Sequence, residues 1–193
     1  EYEVRLSSRF SQIKTGNEYA CGITLSGAIR CWGDNTYNKA NPPQGSFLNL
    51  DLTESYGCGI NDVNEIVCWG QDNYNQVSSA PSGAYTSLFL SANFACALDQ
   101  NQNVSCWGQS GNNQTSSPGG AFSEIALSHD SVCGIKSSGD IECWGYDGDG
   151  QVSNAPAGNF TQITASYRNF CALRDDSSVI CWGQDGNGEV SQA

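Results

Sequence analysis

The stretch from Phe122 to Pro156 decides the fold, above all its middle: Cys133-Gly134-Ile135, Ser138-Gly139, then Ile141-Glu142-Cys143-Trp144-Gly145. It reads as a tight β-hairpin with a cysteine on each arm, because apolar residues recur at a spacing of two around each cysteine. The pattern occurs five times, with Cys-Trp-Gly at Cys31, Cys68, Cys106, Cys143 and Cys181, spaced 37 or 38 residues apart. Each has a partner ten residues earlier, at Cys21, Cys58, Cys96, Cys133 and Cys171, so all 10 cysteines are used. A fixed period of this size marks a repeat architecture.

The rest of the unit follows from the alignment of the five copies. Eleven residues before the first cysteine stands an aromatic: Phe10, Phe47, Tyr85, Phe122 or Phe160. Three residues later comes Ile13, Leu50, Leu88, Ile125 or Ile163. The hairpin turn sets the register. A three-residue loop Leu25-Ser26-Gly27 places Thr24 opposite Ala28 and Cys21 opposite Cys31, with Gly27 in the left-handed position that such loops want. Gly139 and Asn64 suit the same position, whereas Gln102 and Ser177 fit it less well. A two-residue loop would slip the register by one and send the two cysteines to opposite faces. Direct cross-strand disulfides are therefore expected at Cys21–Cys31, Cys58–Cys68, Cys96–Cys106, Cys133–Cys143 and Cys171–Cys181.

Composition bounds the function. Ten cysteines and no methionine suit an oxidising compartment, hence a secreted, extracellular or cell-surface protein. Zinc is disfavoured: the ten-residue pairs lack the short ligand spacing and there is one histidine. The net charge of −12, from 20 acids against 8 bases, argues against nucleic acid, which needs a basic footprint. It argues equally against docking on anionic lipid. No long apolar run suggests membrane insertion, and a start at Glu1 without a visible leader is consistent with a processed or excised segment.

In chain order, residues 1–9 suggest a short closing strand through Tyr2, Val4 and Leu6, and repeats then begin near 10, 47, 85, 122 and 160. Each offers a strand at the aromatic, two strands at the cysteines, and a possible fourth short strand near Gly150-Gln151-Val152-Ser153. About four short strands per repeat read as a propeller blade, with a linear solenoid as the alternative. The expected fold is an all-β, five-bladed β-propeller forming a single domain over 1–193. One intra-blade hairpin disulfide belongs to each repeat, and the N-terminal strand pairs with Gly188–Gln192 to close the ring, since an open edge invites aggregation.

The in-phase Cys-Ala/Gly-Leu/Ile, turn Gly, Cys-Trp-Gly, Asp/Asn and Gln-Val-Ser elements, read most fully in Ser128 to Ser153, resemble the repeat of the regulator of chromosome condensation superfamily. The resemblance covers nearly the whole chain and implies a β-propeller. Five repeats and paired cysteines depart from that family's best-known, seven-bladed members. The cysteines resemble its secreted variants, such as the repeats of crinkly-type receptor kinases, and the fold of β-lactamase inhibitory protein II. The family's nucleotide exchange on a small GTPase belongs to a reducing compartment, so the resemblance implies macromolecular binding by a propeller face rather than that activity.

No catalytic, cofactor or metal site is expected. Ser128-His129-Asp130 is local in sequence, and a catalytic triad must instead converge in space. Carboxylate pairs such as Asp147/Asp149 and Asp175/Asp176 read as turn residues. The five tryptophans, Trp32, Trp69, Trp107, Trp144 and Trp182, read as wedges between blades, the alternative being exposed contact aromatics. The loops after Trp-Gly gather acids, amides and tyrosines on one rim. Turn-forming is the plain reading of their Asp, Asn and Gly residues. The functional one is a recognition rim with Tyr37, Asp72, Tyr74, Tyr146, Asp147 and Asp185 as partner-binding candidates for a protein or, alternatively, a glycan ligand. Asn103, Asn113 and Asn159 fit the N-glycan acceptor pattern.

Overall fold

A computed structural model describes residues 9–192. Five antiparallel three-stranded sheets follow one another along the chain. Blade 1 is β1 (Phe10–Thr15), β2 (Tyr19–Thr24) and β3 (Ile29–Gly33); blade 2 is β4 (Phe47–Leu52), β5 (Tyr56–Asn61) and β6 (Ile66–Gly70). Blade 3 is β7 (Tyr85–Leu90), β8 (Phe94–Asp99) and β9 (Val104–Gly108); blade 4 is β10 (Phe122–Leu127), β11 (Ser131–Lys136) and β12 (Ile141–Gly145). Blade 5 is β13 (Phe160–Ala165), β14 (Asn169–Arg174) and β15 (Val179–Gly183). Among the described residues the one helical segment is a 3-10 turn at Thr36–Asn38.

The hairpin register is the expected one in every blade: each cysteine sits opposite its partner, and all five disulfides form. The Gly27 N–H donates to the Thr24 carbonyl and the Thr24 N–H to the Ala28 carbonyl, closing the three-residue loop. Its last residue is left-handed in all five blades, including Gln102 (φ 65°) and Ser177 (φ 70°). Those two side chains accept an unfavourable backbone because the disulfide and the buried face already determine the register. Each first strand carries an irregularity after its aromatic, one residue from its start. The hydroxyls of Ser11, Thr86, Ser123 and Thr161 at that point donate to carbonyls of the neighbouring strand.

The first strands of successive blades lie against one another, so they form the inner layer and the Cys-Trp-Gly strands the outer one. The core lies between blades. Cys21, Ile23 and Ile29 of blade 1 pack against Phe47, Leu50 and Trp69 of blade 2. The same arrangement joins blades 2 and 3, 3 and 4, and 4 and 5. Four of the five tryptophans are wedges between blades. Trp69, Trp107, Trp144 and Trp182 are buried, and each indole N–H donates to a carbonyl of the preceding blade: Lys39, Gln76, Gln114 and Gln151, at 2.9–3.0 Å. Trp32 is half-buried and packs against Phe10 of its own blade, the rings tilted by 55° with centroids 5.8 Å apart.

Two expectations change. The fourth strand is absent: blades have three strands, and Gln151–Asn154 forms a turn. A strand there would carry Gln151 into a ladder, but its carbonyl is taken by the Trp182 indole and its side chain by the turn. Likewise Glu189–Gln192 is a turn, not a ring-closing strand. The strand expected over residues 1–9 falls almost wholly outside the described residues.

Candidate functional site

The glycine of each Trp-Gly builds the rim. Gly33, Gly70, Gly108, Gly145 and Gly183 all have φ between 101° and 107°, and a Cβ on any of them would lie 2.4–2.7 Å from a carbonyl oxygen. That carbonyl belongs to the turn between the first two strands of the same blade: Glu18, Ser55, Asn93, Asp130 or Arg168. The next N–H, from Asp34, Gln71, Gln109, Tyr146 or Gln184, donates to it at 2.8–3.0 Å. Each blade thus brings two loops to one face. The hairpin tips lie on the other, where Gly27, Asn64, Gln102 and Gly139 bond to the start of the next blade.

The loop acids are turn clamps. One Asp72 carboxylate oxygen accepts the N–H groups of Val77 and Ser78, at 2.7 and 3.1 Å. Asp147 does the same for Val152 and Ser153, and Asp185 for Val190 and Ser191. Asn35 holds Ala40 in the same way at 2.9 Å, so replacement of acid by amide there preserves the acceptor. Partial burial raises the Asp72 pKa, but the two N–H donors outweigh it and hold the carboxyl below its ordinary range. Asp147 and Asp185 are lowered chiefly by the backbone N–H groups of Ser153 and Val190. Four residues further along sits Gln76, Gln114, Gln151 or Glu189, whose side-chain oxygen accepts a backbone N–H two residues back.

Blade 1 has Lys39 at that place. Its buried ammonium meets Asp34 at 2.9 Å and donates to the Asn17 and Glu54 carbonyls at 3.1 and 3.2 Å, with the Tyr19 ring 5.0 Å away. Beside it a recess of about 390 Å³ is lined from blades 1–3 by Asn17, Asp34, Tyr37, Glu54, Gln71 and Asn93 among others. Tyr37 is 56 % exposed and Tyr74, on the next blade, 44 %. Tyr146 does not stand with them: it directly follows Gly145, is half-buried, and has the Arg168 guanidinium 5.2 Å from its ring and Gly148 against its hydroxyl.

That arginine marks a cluster the sequence reading passed over. Arg168 lies 5.5 Å from the Tyr167 ring and 3.5 Å from Asp149. Tyr167, 59 % exposed, is 4.8 Å from the His129 ring, and His129 Nδ1 is 2.8 Å from Asp130 Oδ2. The cluster joins the turns of blades 4 and 5. Its members differ from blade to blade at equivalent turn positions, so repetition gives no signal; an unmatched aromatic–cation pair, Tyr167-Arg168, was the available hint. Ser128 takes no part: its hydroxyl is buried against Ser131, 2.7 Å away. The triplet lies in a turn rather than on a strand, and it fails as a triad because the serine faces inward.

Of the glycan acceptor sites, Asn113 and Asn159 are exposed, Asn113 in a left-handed turn position. Asn103 is exposed too, but its amide donates to Asp99 at 2.9 Å. Among the described residues no group of three or more His, Cys, Asp or Glu is placed to hold a metal, and no helix is long and apolar enough to cross a membrane.

Comparison with known proteins agrees with this architecture. The family model of the regulator of chromosome condensation (RCC1) repeat matches residues 10–39 and 160–189. A search of curated protein sequences finds no significant relative. Among solved structures, the ectodomain of the Physcomitrella patens receptor kinase CR4 superposes with a TM-score of 0.75 at 23 % identity, over 94 % of this chain and 52 % of that one. The CRINKLY ectodomain of the Arabidopsis thaliana receptor kinase ACR4 gives 0.73 at 20 %, over 94 % and 67 %. Prp20p of Saccharomyces cerevisiae, whose structure was described together with its binding to Gsp1p and histones, gives 0.71 at 14 %, over 93 % and 58 %. The chain therefore spans between about half and two thirds of the length of these structures. With five in-phase copies of the repeat, a family match at both ends and this superposition, the chain is an RCC1-like repeat propeller.

Proposed function

We propose that residues 1–193 form one domain that acts as a non-catalytic, extracellular recognition module, binding a protein partner through the rim of Trp-Gly loops and first turns. One observation carries this reading: the three exposed aromatics among the described residues, Tyr37, Tyr74 and Tyr167, all lie on that rim. The opposite rim exposes aliphatics instead, at Leu25, Leu48 and Val63. Tyrosine brings large, rigid contact area and concentrates where binding energy does, as arginine does. Five disulfides support an oxidising location, and the receptor ectodomains of the same fold fit it. Rim acids such as Glu18, Glu54 and Asp130 favour a partner without an acidic face.

The recess at Tyr37 offers a ring beside amides and acids, which also suits a sugar. Screening the chain against arrays of extracellular proteins and of glycans separates the two readings. The expected result is a protein hit whose affinity falls tenfold or more, about 1.4 kcal/mol, in Tyr37→Ala/Tyr74→Ala/Tyr167→Ala, with the melting temperature held. Unchanged affinity in that variant defeats the rim reading, and reproducible glycan hits alone replace the protein partner with a sugar.

A further inference from the structure

The hairpin-tip face of blades 1 and 2 departs from the repeat at three positions, each time from polar to aliphatic. One residue after the aromatic, four blades have Ser11, Thr86, Ser123 or Thr161, and each hydroxyl donates to a carbonyl of the neighbouring strand at 3.2–3.3 Å. Blade 2 has Leu48 there, 62 % exposed and unable to make that bond. The first tip residue is Asp62, Gln100, Ser137 or Asp175 in four blades and Leu25 in blade 1. The second is Ser26, Asn101, Ser138 or Asp176 in four blades and Val63 in blade 2. Leu25 and Val63 are 65 % and 63 % exposed. Packing within the blade explains none of the three, since the other blades form the same turns and strands with polar residues there. The three fall together. The Phe47 N–H donates to the Gly27 carbonyl and the Asp62 N–H to the Ser46 carbonyl, which ties both tips to the segment that carries Leu48. Leu48 stands between two recesses. It shares one of about 400 Å³ with Leu25, Gly27 and Phe47, and one of about 530 Å³ with Asn64, Tyr85 and Thr86. Neither lining contains a charged residue, whereas the recess on the opposite rim includes Glu18, Asp34, Lys39 and Glu54.

We propose that this face is a self-association surface, on which a second copy of this chain docks about a two-fold axis. An isologous contact must carry both parts of its fit on one patch. Here Leu25 and Leu48 stand out, and the recesses beside them can receive the same residues of the other copy. Charge points the same way. Each copy carries a net charge of −12, so two copies repel wherever their acids meet. An uncharged patch with exposed aliphatics is where association gains most and repulsion costs least. The charges at its edges are of opposite sign: Arg9 is bonded to the Leu25 tip, and Asp62 precedes Val63. A two-fold axis near Leu48 sets the acid of one copy against the arginine of the other. The same net charge disfavours an anionic membrane as the occupant. Docking here leaves the Trp-Gly rim free on the far face of each copy, so the dimer presents two recognition rims.

Sedimentation velocity of the 193-residue chain should show a reversible monomer–dimer equilibrium in the micromolar range. Amide exchange around Leu25, Leu48 and Val63 should slow as the concentration rises. The variants that test the contact come from the repeat itself. Leu48→Thr installs the residue of blades 3 and 5 and returns the hydroxyl bond, and Leu25→Asp and Val63→Asp install those of blade 5. Together they should raise the dimer dissociation constant about tenfold or more. The melting temperature, measured on dilute monomer, should stay at or above the parent's. Three results would overturn the proposal. The first is a parent chain that stays monomeric throughout; if it then captures a different extracellular protein through these three residues, that protein is the occupant. The second is a dimer that the triple variant leaves as tight as before, which places the contact elsewhere. The third is a fall of several degrees in the melting temperature of the monomeric variant, which means that the three aliphatics serve the packing of their own blades.

Discussion

Leu50 and Ile13 hold the same place in adjacent blades, yet one is sealed in the core and the other faces outward. Trp107 and Trp32 form a second such pair: one indole is buried and bonded across to Gln76, the other half-buried against its own blade. The repeat unit is the same in both regions, and the neighbour differs. Burial in this architecture belongs to the junction between units, because a single blade cannot cover its own apolar face.

The largest expected effect comes from the aliphatic pair. Leu50→Ala should cost about 2–5 kcal/mol, measured by urea unfolding, and Ile13→Ala no more than about 0.5 kcal/mol. Equal losses would erase the distinction between the middle and the ends. The tryptophan pair sharpens it. Trp107→Phe keeps most of the ring but leaves the buried Gln76 carbonyl without its donor, at a cost of about 1–3 kcal/mol. Trp32→Phe should cost a few tenths of that.

The smallest effect is a pH dependence in the loops. Asp72 has a folded pKa below its ordinary value, so its contribution is fully present above about pH 4 and fades as pH falls through the folded pKa. Asp72→Asn keeps an acceptor and removes the titration. Its stability should therefore fall less steeply than the parent's between pH 5 and about pH 2. Asp185→Asn should flatten the curve in the same direction, because the Val190 and Ser191 N–H groups hold that carboxyl below its ordinary range too.

Much of the fold is legible in the residues, and the rim only in part. Ten-residue cysteine spacing and a left-handed turn position establish the hairpin and its disulfide without any long-range information, which is why even Gln102 and Ser177 follow the pattern. The misread fourth strand shows the limit. Gln-Val-Ser alternates plausibly, but the glutamine carbonyl is claimed by a tryptophan of the next blade and the Val and Ser N–H groups by the aspartate that opens the turn. Asp72, Asp147 and Asp185 read as an acidic rim, and the structure commits one oxygen of each to the loop's own backbone. Tyr146 reads as an equal of Tyr37 and Tyr74, and Arg168 covers it.

By itself the sequence determined what local chemistry determines: the repeat, the hairpin register, the disulfide pairs, and the side of the strand that tryptophan takes. These depend on spacing within some forty residues and on a side-chain period of two. The tertiary structure alone decided which copies of an identical pattern are buried, which turns meet on one rim, and that Tyr167, Arg168 and His129 stand together. Those facts depend on the placement of one blade against the next, and no spacing within a single repeat encodes it.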